Sequence, residues 1–200
     1  MEDRLQVIQD KNPDAELKYK WVDYPQISNN LKRAVIASED SKFVDHEGFD
    51  WDGIEKAYAK NLKKGKIVAG GSTISQQLAK NLFLSSKRTP WRKGEEAIIT
   101  LMLEKMLSKQ RILEIYLNVI EWGNGVFGAE AASRHYFKTT AAGLSAPQAA
   151  ILAAMIPNPR FYDDHKSTTY LNRRTSTILA RMRMSELPQA PPPTKLQAKK

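Results

Sequence analysis

Helix starts are written into this chain more plainly than any other feature. Thr73 is followed three residues on by Gln76, and Ser145 by Gln148. At that spacing a hydroxyl and an amide satisfy each other's exposed backbone N–H groups at a helix N-terminus. Asp52 with Glu55 reads the same way, with Gly65 as the stop. Thr89-Pro90 places a capping hydroxyl ahead of proline at the first helical position. Between these signals the apolar residues recur at the helical period. Ile27, Leu31, Ala34 and Val35 make one such face; Ile54, Ala57, Tyr58 and Leu62 make another, expected to point inward. Ile99, Met102, Leu103, Met106, Leu113, Tyr116 and Leu117 make a third, expected to form the core across a helix from 89 to about 108 and a second over 109–119. Ala129–Phe137, Ala146–Ile156 and a basic amphipathic segment, Leu171–Met184, complete the pattern. Strand signals are weak throughout, so the expected class is all-α.

Two hundred residues suit one domain with a sizeable core. Cysteine is absent, which excludes a disulfide framework and thiolate metal sites. His46, His135 and His165 have no metal-ligand spacing, so no metal site is expected; His46 is assigned to the turn after Glu39. The longest apolar run, Ala149 to Ile156, is too short to span a bilayer.

The net charge of +9 is concentrated. Between Lys56 and Arg111 stand thirteen Lys and Arg against only Glu95, Glu96 and Glu104. Such a block favours an anionic partner. A nucleic acid fits it poorly, because isolated acids inside the basic segment repel phosphodiesters.

The residues with chemistry to offer lie in and around that block. Glu39-Asp40 ends an apolar helix, with Val35, Ile36 and Phe43 placed to strip water from a carboxylate, which suits a general base. The alternative is that one of the pair caps a neighbouring backbone. Gly70-Gly71-Ser72-Thr73 leads into a helix N-terminus, whose free N–H groups and dipole favour an anion. Thr73, Gln77, Lys80 and Asn81 share one face of that helix, beside Gln76, and a face this polar is expected to line a cleft. Arg88, Arg92 and Lys93 follow as cations for phosphate oxygens, with Glu96 expected to orient one of them; the plainer alternative is an i,i+4 ion pair between Arg92 and Glu96. Acid, polar-cationic strip, second acid: that order points to sugar chemistry on a charged donor.

These blocks resemble the peptidoglycan glycosyltransferases, both the transglycosylase domains of class A penicillin-binding proteins and the monofunctional enzymes. Glu-Asp-x-x-Phe-x-x-His-x-Gly stands at 39–48, Gly-Gly-Ser-Thr-Ile-Ser-Gln-Gln-Leu-Ala-Lys-Asn at 70–81 and Arg-Lys-x-x-Glu at 92–96. Ile-Leu-Glu-x-Tyr-Leu-Asn at 112–118 and Gly-x-x-Gly-Ala-Glu-Ala-Ala at 125–132 follow in family order. The resemblance implies a lysozyme-like, two-lobed helical fold with a small membrane-facing jaw. It implies an enzyme that polymerises lipid II into β-1,4-linked glycan strands and releases undecaprenyl diphosphate. On its pattern Glu39 is the general base and Glu96 the second essential carboxylate, while Lys80, Arg88 and Arg92 meet the donor diphosphate. Asp40, Ser72, Thr73, Gln76, Gln77, Asn81 and Lys93 complete the expected substrate-binding set. No cofactor is required; a divalent cation, Mg or Mn, is compatible.

The implied partners are lipid II, the growing glycan strand, an anionic membrane surface and other cell-wall synthesis proteins. The implied place is the outer, periplasmic side of the bacterial inner membrane. Residues 1–20 are expected to link to a membrane anchor absent from this sequence, 21–185 to form the catalytic domain and 186–200 to be a disordered tail. No Ser-x-x-Lys occurs, so the monofunctional type is expected. Membrane contact is expected from Ile67-Val68-Ala69 and Leu82-Phe83-Leu84, ringed by Lys63, Lys64, Lys66, Lys87 and Arg88. The competing enzyme is a lytic, lysozyme-like one that cleaves glycan strands and needs no diphosphate site.

Overall fold

A computed structural model describes residues 6, 9–10, 16–66, 70–84 and 91–190. The chain folds as helices in the order α1 (Asn29–Glu39), α2 (Trp51–Lys64), α3 (Ile74–Phe83), α4 (Arg92–Met106), α5 (Lys109–Val119), α6 (Ala129–Phe137), α7 (Ala146–Met155), α8 (Pro159–Asp164) and α9 (Thr169–Arg181). Three short strands accompany them: β1 (Lys18–Tyr19), β2 (Glu121–Gly123) and β3 (Val126–Phe127). They form one sheet in the order β1-β3-β2, with β1 parallel and β2 antiparallel to β3. The all-α expectation holds apart from this small ribbon.

Caps set the boundaries. The Thr73–Gln76 and Ser145–Gln148 boxes both form, opening α3 and α7. Ser108 accepts from the N–H of Arg111 and starts α5 two residues after α4 ends. α2 differs from expectation. Its cap is Asp50, which accepts from Gly53 N at 3.0 Å, while Asp52 pairs with Lys42 at 2.7 Å. Gly65 ends the helix at φ 62°, a left-handed conformation that costs glycine little. The Thr89-Pro90 start, Ile67-Val68-Ala69, Lys87 and Arg88 lie outside the described residues.

The core gathers around α5. Ile112, Leu113, Tyr116 and Leu117 are fully buried, in one cluster with Leu31, Ala34 and Val35 of α1, Leu78 of α3 and the alanine-rich α7. α7 packs between α1 and α9, and its run of small residues admits close approach. Trp122 is buried and donates its indole N–H to Leu152 O at 2.9 Å. Asn118 of α5 exchanges two hydrogen bonds with the backbone of Val22, both at 2.9 Å, and so stitches the early chain to the core.

Two inward faces read from periodicity are overturned. On α2 only Ala57 is buried; Tyr58 and Leu62 are exposed and Ile54 is half-buried. On α4, Met102 and Met106 are exposed, Ile99 and Leu103 are half-buried, and the buried residues are Glu96 and Thr100. A period reports that a helix has an apolar face, not what covers it. The expected ends also shift. Lys18–Tyr19 pairs with β3 and Lys20 reaches Glu130, so these residues belong to the folded body. At the other end Leu187 packs on the core and Pro188 is buried.

Candidate active site

Glu39 is the last residue of α1, and the chain turns sharply after it. The turn is held by Asp40, whose side chain points inward. Asp40 accepts from His46 Nε2 at 2.9 Å and from the N–H of Ile74, the first residue of α3, at 3.0 Å. Thr73 adds a second tie by donating its hydroxyl to Gly48 O at 2.6 Å. One buried carboxylate thus joins the end of α1, the 41–48 loop and the start of α3. The capping alternative for the Glu39-Asp40 pair is realised at Asp40.

This knot brings α3 alongside Glu39. Gln77 Nε2 donates to Glu39 Oε2 at 3.1 Å. From the other side Arg174 of α9 donates to Glu39 Oε1 at 3.0 Å and to the Ser38 hydroxyl oxygen at 2.9 Å. The Ser38 hydroxyl itself donates to Glu39 Oε1 at 2.8 Å. The Glu39 side chain is 10% exposed, the desolvation expected from Val35, Ile36 and Phe43. Tyr116 of α5 donates to Gln77 Oε1 at 2.8 Å. Burial pushes the Tyr116 hydroxyl well above its usual range, and the nearby Glu39 and Asp40 charges add to the rise. It therefore stays protonated and a donor.

Beside Glu39 opens a cavity of about 250 Å³, lined among others by Ser38, Ser41, Asp50, Ser72 and Arg181. Gly71 on its wall sits where α3 meets α2, and a Cβ there would lie 3.1 Å from Ile54 Cα. The close approach, not a turn, explains that glycine.

The expected binding residues divide into two groups. Asp40, Thr73 and Gln76 are buried and their polar atoms are used by the fold: Gln76 Oε1 takes the Thr73 N–H at 3.0 Å. Ser72 and Lys80 are exposed, and Gln77, Asn81 and Arg92 are half-buried. Glu96 is buried and pairs with Lys93, one of the three cations it was expected to orient, and not with Arg92 in a plain i,i+4 pair. No hydrogen bond or ion pair among the described residues joins Glu39 to Glu96. Arg88 lies outside the described residues. His46 stabilises the turn as expected, through Asp40. Among the described residues no group of three or more His, Asp or Glu side chains gathers to hold a metal ion.

Three contributors escaped the sequence reading. Tyr116 was legible only as core, which it also is. Arg174 stands 135 residues from Glu39, in a helix legible only as basic and amphipathic. Arg181, two turns on along the same helix, lines the cavity. Nothing local in the sequence marks either arginine.

The transglycosylase family model matches residues 5–183. The chain is 71% identical over 184 residues to a biosynthetic peptidoglycan transglycosylase of Methylobacillus flagellatus, covering 92% of this chain and 80% of that one. It is 70% identical over 188 residues to the protein of the same name from Chromobacterium violaceum, covering 94% and 82%. A third, from Herminiimonas arsenicoxydans, is 68% identical over 188 residues, covering 94% and 81%.

Proposed function

This chain belongs to the transglycosylase family, and from that premise we propose how its residues divide the work. It is a peptidoglycan glycosyltransferase, polymerising lipid II into β-1,4-linked glycan strands with release of undecaprenyl diphosphate. Nothing in the comparisons favours the lytic alternative: the relatives named are biosynthetic.

Glu39 is the general base. It takes the proton from the acceptor's sugar 4-hydroxyl as that oxygen bonds to the donor's anomeric carbon. The bond from that carbon to the diphosphate breaks, and its electron pair leaves on the diphosphate oxygen. A glycosidase must protonate a poor alkoxide leaving group and so needs a carboxylic acid there. A diphosphate leaves as a stabilised anion and needs cations instead. Lys80, Arg88 and Arg92 supply them, and Glu96 holds the ammonium of Lys93 beside them. Ser72, Gln77 and Asn81 complete the cleft wall. The observation that carries this reading is the Glu39 carboxylate itself: one-tenth exposed, fixed from two sides and bordering a cavity.

The enzyme serves the cell wall on its periplasmic side. Its substrate carries a lipid tail, so the cleft must reach the headgroup layer of the inner membrane. No helix among the described residues is long and apolar enough to cross a membrane. Contact is assigned instead to exposed apolar side chains near the basic segment: Tyr58 and Leu62 on α2, Phe83 on α3, and Ile98, Met102 and Met106 on α4. These side chains extend beyond the two segments expected from the sequence, 82–84 and 67–69, the second of which lies outside the described residues.

Lipid II polymerisation by wild type and Glu39→Gln tests the assignment. Loss of a general base costs about 10²–10⁴-fold. Activity of the variant within about threefold of wild type, at an unchanged Tm, would remove Glu39 from that role.

A further inference from the structure

The two oxygens of the Glu39 carboxylate are treated unequally. Oε1 accepts from the Ser38 hydroxyl at 2.8 Å and from Arg174 at 3.0 Å. Oε2 accepts only from Gln77 Nε2 among the described residues, at 3.1 Å. An ionised carboxylate offers about four acceptor positions, two on each oxygen. Oε1 is therefore filled, and Oε2 keeps one position to receive a proton.

The donor on Oε2 is an amide, and an amide has two chemically opposite ends. Turned over, Gln77 would set its carbonyl oxygen against the carboxylate. What opposes that is Tyr116, whose hydroxyl donates to Gln77 Oε1 at 2.8 Å. Tyr116 is fully buried on α5, and Gln77 Oε1 is the acceptor its proton finds. A reversed amide would strand that proton in the core and repel the carboxylate at once, which leaves one arrangement satisfied at both ends.

We infer that Tyr116 is a positioning residue for glycosyl transfer: acting through Gln77, it holds Glu39 with one lone pair of Oε2 open to the acceptor's proton. Tyr116 touches no substrate in this scheme. The inference rests on Glu39 being the base.

The test is a double-mutant cycle in lipid II polymerisation, using Tyr116→Phe, Gln77→Ala and the double variant, with Glu39→Gln alongside. Misplacing a reacting group by about 1 Å can cost roughly 10²-fold, and a loosened base should cost less. Tyr116→Phe is therefore expected to lower kcat about tenfold, with KM changed less than about twofold. Because both residues act through one contact, the double variant should be no slower than Gln77→Ala. A kcat for Tyr116→Phe within about twofold of wild type, or losses that multiply in the double variant, overturns the relay. A purely structural tyrosine would lower Tm and leave kcat in place. If Tyr116→Phe does not fold, Gln77→Asn reads the same contact, being too short to reach both neighbours. The same kcat loss at unchanged Tm supports the relay, and an unchanged kcat overturns it. Near-normal activity of Glu39→Gln overturns the base assignment itself, whatever the cycle shows. An inactive Glu39→Gln with multiplying losses overturns the relay alone.

Discussion

α4 and α5 follow one another with two residues between them, and they use their apolar faces in opposite ways. α5 turns Ile112, Leu113, Tyr116 and Leu117 into the core, where all are fully buried. α4 buries Glu96 and Thr100 and leaves Met106 75% exposed, with Ile98, Leu101 and Met102 also in the open. Their periodicity does not tell them apart. What differs is the neighbour each meets. α5 packs against α3, α6 and the 24–26 turn, and its apolar stripe is covered. α4 packs against α3, where its Glu104 takes the Ser75 hydroxyl, so Glu96 and Thr100 turn inward while Ile98, Leu101, Met102 and Met106 face outward. An outward apolar face of that kind is expected of an interaction surface, not of an ordinary helix.

Substitution on the two helices should therefore separate stability from function. The largest stability effect is expected at Leu117→Ala. Removing a fully buried leucine costs about 2–5 kcal/mol, and chemical denaturation should show it as a lower midpoint at an unchanged slope. A loss under about 0.5 kcal/mol would mean that the core is not centred on α5.

Next in size are Lys80→Ala and Arg92→Ala, on the strip that α3 and α4 share. Removing one electrostatic contact to a developing anion costs about 10²–10³-fold in the strongest cases. Both positions keep contact with solvent, so roughly 10–10²-fold in kcat/KM is expected, with Tm little changed. Normal turnover together with early melting would recast these cations as structural and blur the contrast between the helices.

The smallest effect on stability is expected at Met102→Ser with Met106→Ser. Exposed substitutions usually stay within about 0.5 kcal/mol. The double variant should nevertheless bind anionic liposomes less well than wild type in co-sedimentation at low salt, and turn over lipid II more slowly. A large fall in Tm would show that α4's apolar face is covered after all, and unchanged liposome binding would move membrane contact elsewhere.

The parts of the candidate site that were legible are those with local signals. The Thr73–Gln76 box, the Glu39-Asp40 pair and the Arg92–Glu96 block each report chemistry within one or two helical turns. Their division of labour was not legible. Asp40, Thr73 and Gln76 lie among polar residues that look alike in sequence, yet their polar atoms are consumed by the fold: Asp40 ties α1 to α3, Thr73 ties the 41–48 loop to α3, and Gln76 caps α3. Whether a polar side chain serves a ligand or the fold depends on which backbone groups need partners nearby, and packing decides that. Arg174 and Tyr116 show the same limit from the other side: each reaches the Glu39 region across a long stretch of chain.

The sequence by itself determined several helix boundaries, the starts at Thr73 and Ser145 and the stop at Gly65 among them, because such caps act within a few residues. Its motifs, taken in order, also carried the resemblance to the peptidoglycan glycosyltransferases, and the family match bears that out. Only the tertiary structure decided which way α2 and α4 face, that Glu96 pairs with Lys93, and that Glu39 is gripped by α3 and α9 together. These outcomes depend on contacts between residues far apart in the chain. Such contacts form only when whole elements pack, so no window of the sequence contains them.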